Sequence, residues 1–136
     1  GEVANGVKKY GLEVFEIIPE KWERMTNGGK VIKVKDLHDR KRKIFELSDG
    51  FLTLPGGIGT TSELTDLLDD SACEFIKRKH LAILNHKGFF NPLLNYFNSL
   101  NRGNFLINNF KQLYFVARTP MEAIEYLDKS FAIPTR

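Results

Sequence analysis

The chain has 136 residues, of which 42% are hydrophobic and 27% charged, with a formal net charge of +3. That length predicts one domain, residues 1–136, with room for a core. The charge is too small to point to nucleic acid, and no apolar run approaches the roughly 18 to 20 residues of a membrane span. The one cysteine, Cys73, excludes an intrachain disulfide and points to a reducing, cytoplasmic compartment. Gly1 to Lys9 has no apolar segment of the kind a signal peptide needs.

In chain order, Val3 to Tyr10 reads as the tail of a helix closed by Gly11. Leu12 to Ile18 reads as a strand ended by Pro19, and Val31 to Val34 is a second, short β-branched stretch. Asp36 can cap a helix through about Leu47, with Ile44, Phe45 and Leu47 as its apolar positions. Phe51 to Leu54 follows as a buried-looking strand, then a helix from Thr60 to about Lys79. His80 to Asn85 is the next strand, and Pro92 starts a helix that runs to about Asn101. Leu113 to Ala117 is a last strand. Thr119-Pro120 begins the final helix, Thr as cap and Pro in the first turn. Short apolar strands alternating with helices favour an α/β fold with a mostly parallel sheet covered by helices on both faces.

Ligands in such folds bind outside the carboxyl ends of the strands. The stretch FLTLPGGIGTTSEL, residues 51–64, lies at one of those ends. Gly56, Gly57 and Gly59 let the backbone turn sharply and approach a ligand closely. The helix that follows offers free N–H groups and the positive end of its dipole, a ready anion site to which Thr60 and Thr61 can add hydroxyls. The glycine pattern alone is weak evidence, because many strand-to-helix turns are glycine-rich. Glu63 has two readings. Thr60-Thr61-Ser62-Glu63 fits a capping box, in which the glutamate bonds back to the backbone of the cap. A catalytic carboxylate needs instead a ligand with an anion at one end and a developing cation nearby.

Pro55-Gly56-Gly57-Ile58-Gly59-Thr60-Thr61-Ser62-Glu63 matches in full the PGGxGTxxE motif of the LOG ("lonely guy") proteins, cytokinin-activating phosphoribohydrolases often labelled lysine decarboxylases. Asp36-Leu37-His38-Asp39-Arg40-Lys41 resembles the family's second motif, of the type MHERK, at a fitting separation. Ile17-Ile18-Pro19-Glu20 and the segment from Leu84-Asn85 through Gly88-Phe89-Phe90-Asn91 resemble two further family stretches. The resemblance covers nearly the whole chain. It implies a Rossmann-like three-layer fold, usually dimeric. The implied activity is hydrolysis of the N-glycosidic bond of a nucleoside 5′-monophosphate, a cytokinin nucleotide or AMP, to free base and ribose 5-phosphate. Arg40 and Glu63 match the two catalytic positions. Gly56, Gly57, Gly59 and Thr60 match the phosphate loop, Lys41 the lysine beside the catalytic arginine, and Asp66 a further acid on the same helix. The family also carries an earlier strand and a glycine-rich turn ahead of the opening helix, so the resemblance implies that N-terminal βα units are absent here.

The chemistry agrees with that resemblance. Breaking a C1′–N bond builds positive charge on the ribose, which a carboxylate can stabilise while orienting water. The ribose supplies the gap between phosphate and carboxylate. Arginine is a poor base, so Arg40 is assigned to binding the nucleotide or stabilising the leaving base. No feature supports pyridoxal phosphate or any other cofactor, and His38, His80 and His86 show no metal-ligand spacing. Cys73 reads as a packed thiol, Trp22 as a packing or interface residue, and the runs Arg40–Lys43 and Lys77–Lys79 as solvated faces. The expected partners are a nucleoside monophosphate and a second copy of the chain. A nucleotide- or phosphate-binding module without turnover is the alternative, and a purely structural domain a third.

Overall fold

A computed structural model describes residues 2–22, 26 and 28–132. Gly1 lies outside the described residues. The chain divides into two compact units, residues 1–48 and 49–136.

The first unit opens with α1 (Glu2–Lys9), closed where Gly11 takes a φ of +73° and donates its N–H to Lys8 O at 2.9 Å. Strands β1 (Phe15–Pro19) and β2 (Lys30–Val34) pair in parallel, Phe15 opposite Lys30 and Pro19 opposite Val34. The first strand is shorter at its start and longer at its end than the apolar run suggests. Pro19 is accommodated as the last residue of the strand, where its missing N–H costs little. Helix α2 (Leu37–Leu47) begins where expected: Asp36 Oδ1 accepts from the N–H groups of His38 and Asp39, each at 2.9 Å. Ile18, Pro19 and Phe45 are the buried side chains of this unit among the described residues.

The second unit holds β3 (Gly50–Thr53), β4 (His80–Leu84) and β5 (Phe115–Ala117), all parallel in the order β3-β4-β5. Leu52 stands opposite Ala82, and Ile83 opposite Val116. The central strand is sealed from Leu81 to Leu84, with Ala82 and Ile83 fully buried. This is what an uninterrupted apolar run predicts for a parallel strand covered on both faces. Helix α3 (Ile58–Ala72) contributes Leu64, Leu67 and Leu68 to the core. Helix α5 (Pro120–Ala132) lies against β4 and β5, where Ala123, Tyr126 and Leu127 pack with Ala82, Leu84 and Ala117. Helix α4 (Asn91–Arg102) sets Phe97 edge-on to Phe110, with ring centroids 5.5 Å apart.

The fold class is α/β with every strand pair parallel, as the alternation predicts. The described strands form two sheets, one of two strands and one of three. Periodicity reports which faces are buried and carries no signal for which strands become neighbours. The third helix also differs from expectation. It starts two residues earlier, at Ile58, and stops at Ala72 instead of near Lys79. Glu74 adopts a φ of +59°, and Phe75 N–H reaches back to Asp70 O at 2.9 Å. That bond is the signature of a Schellman stop, normally marked by glycine, so its glutamate hid the helix end from the sequence.

Candidate functional site

The glycine turn follows β3 directly and opens α3, at the carboxyl end of the second unit's sheet. Gly57 caps the helix in an extended conformation, and the first intrahelical bond runs from Thr61 N–H to Gly57 O, 3.2 Å. The N–H groups of Ile58, Gly59 and Thr60 therefore precede any acceptor within the helix. No acidic residue occupies the first turn, so no carboxylate there competes with an incoming anion for the positive end of the dipole.

The three glycines differ in their surroundings. A Cβ at Gly56 would collide with the Thr60 side chain, which folds back over it. A Cβ at Gly57 or Gly59 would meet nothing within 4 Å, and neither residue has a positive φ. Neither backbone strain nor internal packing accounts for glycine at 57 and 59. An added methyl at either position would enter open space. Ile58, between them, is 86% exposed.

Because the helix begins at Ile58, Thr60 is its third residue and not its cap. Thr60-Thr61-Ser62-Glu63 is therefore not a capping box, and that reading of Glu63 is corrected. The box was plausible because hydroxyl residues prefer caps, but the glycine turn enters the helix before they are reached. Glu63 stands in the second turn, half-buried, with the half-buried Asp66 three residues on and roughly on its face. Asp70, a further turn along, has its carboxyl pushed up by burial and by its neighbours Asp66 and Asp69.

Arg40 and Lys41 belong to the first unit, both half-buried on α2. Arg40 Nε donates to Ile17 O at 2.9 Å, which ties the guanidinium to the middle of β1. His38 is exposed in the first turn of α2. The structure thus brings Gly56, Gly57, Gly59, Thr60, Glu63 and Asp66 together on one turn and one helix, and Arg40 and Lys41 together on another helix.

The first unit also contains a cleft of about 730 Å³ that the sequence did not disclose. Ile18, Trp22, Ile32, Ile44 and Leu47 line it, and Arg40 is part of its wall. One signal for it was available: Arg40, Ile44 and Leu47 follow an i, i+4, i+7 spacing, which places them on one face of α2.

A model of the family described as possible lysine decarboxylase matches residues 1–127. The chain belongs to this family, the LOG family. Among LOG relatives, a probable cytokinin riboside 5′-monophosphate phosphoribohydrolase of Oryza sativa subsp. japonica is 33% identical over 133 residues, covering 95% of this chain and 54% of the relative. A cytokinin riboside 5′-monophosphate phosphoribohydrolase of Arabidopsis thaliana is 32% identical over 133 residues, covering 95% and 61%. This LOG chain spans between half and two thirds of the length of these relatives.

Proposed function

We propose that the chain hydrolyses the N-glycosidic bond of a nucleoside 5′-monophosphate, a cytokinin nucleotide or AMP, releasing the free base and ribose 5-phosphate. The observation that carries this reading is the open N-terminus of α3. It has no acid in its first turn and glycines at 57 and 59 that internal packing does not require. The names of the relatives support the substrate class.

In this reading the 5′-phosphate sits on the N–H groups at Gly57 to Thr60, with the Thr60 hydroxyl beside them. Glu63, one turn further along, faces the ribose across the length of the sugar. As the C1′–N bond breaks, its carboxylate stabilises the positive charge that develops on the sugar. It also orients the water whose hydroxyl bonds to C1′, and the proton released ends on the departing base. Arg40 and Lys41 bind the nucleotide, with Arg40 as a fixed cation for the leaving base. Asp66 is assigned a supporting contact from the same helix face. No step needs a cofactor, and the working form proposed is a cytoplasmic homodimer.

Product analysis by HPLC with AMP and N6-isopentenyl AMP tests the reading. Base release by the chain, reduced about 100-fold or more in Glu63→Gln, is the expected result. Nucleotide binding without base release from either substrate would replace it with a binding module that lacks turnover.

A further inference from the structure

A phosphate monoester carries about −1.5 to −2 charges at neutral pH, and a helix N-terminus supplies about +0.5. The turn that opens α3 adds no cation of its own, because Leu54 to Thr61 contains neither lysine nor arginine. The remaining counter-charge has to come from a neighbouring loop. Thr53 stands opposite Ile83 in the parallel ladder, so β3 and β4 end side by side, about 4.8 Å apart. The glycine turn and the segment after β4 therefore leave the sheet at the same end. On the loops that follow β3, β4 and β5, the lysines and arginines are Lys87, after β4, and Arg118, after β5. In the order β3-β4-β5, Arg118 lies one strand further from the turn, and its backbone N–H is taken by Glu122 Oε2 at 2.6 Å.

The loop from Asn85 to Asn91 holds Lys87 on a fixed frame. Asn85 N–H donates to Ala117 O at 2.7 Å, its Oδ1 accepts from Phe90 N–H at 2.7 Å, and its Nδ2 donates to Asn91 Oδ1 at 2.8 Å. Phe90 is 3% exposed and anchors the loop in the core. On this frame Lys87 has a φ of +52° and a ψ of +27°, a left-handed conformation that side chains disfavour. The next left-handed residue is Gly88, where a Cβ would lie 2.6 Å from Asn91 Nδ2. Lys87 is exposed and forms no ion pair among the described residues. Neither packing nor an internal charge partner accounts for a lysine at this strained position. We propose that Lys87 is a phosphate-binding residue, its ammonium supplying the charge that the N-terminus of α3 lacks. This assignment rests on the nucleotide reading and deepens it, and it lies wholly within the second unit. A compact cation on a flexible four-carbon stem suits a neighbouring phosphate as a point charge.

Calorimetry with AMP and with adenosine tests the assignment, on the chain itself and on Lys87→Asn and Lys87→Arg. Asparagine removes the charge and tolerates a left-handed backbone, whereas arginine keeps the charge. Lys87→Asn is expected to weaken AMP about tenfold at low salt and to leave adenosine within about twofold, with circular dichroism confirming an intact fold. Lys87→Arg retains AMP affinity to within about threefold, and the deficit of Lys87→Asn shrinks at high salt. Unchanged AMP affinity in Lys87→Asn overturns the proposal. So does equal weakening of AMP and adenosine, or a failure of Lys87→Arg to retain affinity, since either assigns the residue to the shape of the loop. If the chain binds AMP no more tightly than adenosine, the phosphate reading of the glycine turn falls and Lys87 falls with it. Base release is scored separately. Charge-dependent AMP binding without release sinks the hydrolase reading and keeps Lys87, whereas release with a KM unmoved by Lys87→Asn does the reverse.

Discussion

In the second unit, β4 is enclosed along its whole apolar run, and three leucines of α3 pack among the buried side chains. In the first unit, only Ile18, Pro19 and Phe45 are buried among the described residues, and an apolar cleft stays open beside α2. The glycine turn and Glu63 are carried by the dense unit, and Arg40 by the sparse one. The difference teaches how a firmly held turn and an open apolar cleft can both be built from parallel strands and the helices that follow them. Burying a strand on both faces fixes the loop at its end. Leaving one helix face uncovered keeps apolar surface available to a ligand.

The comparison breaks most readily at Leu64, which is 2% exposed. Leu64→Ala is expected to cost about 2–5 kcal/mol in chemical denaturation. Leu47→Ala, at a site 53% exposed, is expected to cost less than about 1 kcal/mol. Equal costs would mean that the two units are packed alike.

Next in size is Gly59→Ala, where stability and function should move in opposite directions. Its Cβ meets no neighbour within 4 Å and lies in a helix, so alanine should raise stability by up to about 1 kcal/mol. The same methyl enters the space proposed for the phosphate, and AMP affinity measured by calorimetry should fall by about tenfold or more. Unchanged affinity would remove the anion site from the front of α3.

The smallest effects come from two carboxyls of opposite sign. Hydrogen bonds from the backbone of Asp39, and then of His38, hold the Asp36 carboxyl below its ordinary 3.8. Its folded value being depressed, Asp36 stabilises the first unit above pH 3.8, and that contribution is lost as pH falls through the lowered value. The Tm deficit of Asp36→Ala should therefore be present at pH 7 and vanish in acid. Asp70 lies in the second unit and is raised by burial and by Asp66 and Asp69. The ionised form is disfavoured in the folded state, so the native state loses stability as pH climbs from 3.8 through the raised value. Asp70→Asn should stabilise by about 0.2–0.5 kcal/mol at pH 7, consistent with relief of an i,i+4 repulsion, with the gain fading in acid. Melting curves of both variants across pH 3 to 7 would show opposite slopes, and parallel slopes would refute the assignment.

Much of this was legible from residues alone. Asp36 announced its helix because a carboxylate is a strong cap, and the cap forms with the bonds expected of it. The run His80 to Asn85 announced a central strand because only a strand buried on both faces can be apolar throughout. Pro55 to Glu63 announced both the family and the glycine turn that opens α3, because spacing along the chain becomes geometry once a helix starts from a glycine turn. Other features waited for the tertiary structure. Whether Glu63 caps or projects depended on where α3 begins, which is decided by how the glycine turn meets the end of β3. The stop at Glu74 is a left-handed residue without glycine, a conformation imposed by context. The cleft beside Arg40 joins Trp22 to Leu47 across 25 positions of chain, and separations of that kind are closed only by the parallel pairing of β1 with β2 and by α2 against β1. Local spacing determined the chemistry on each helix, because hydrogen bonds and side-chain direction act over a few residues. Long-range packing decided which surfaces were covered, because burial depends on what the rest of the chain brings alongside.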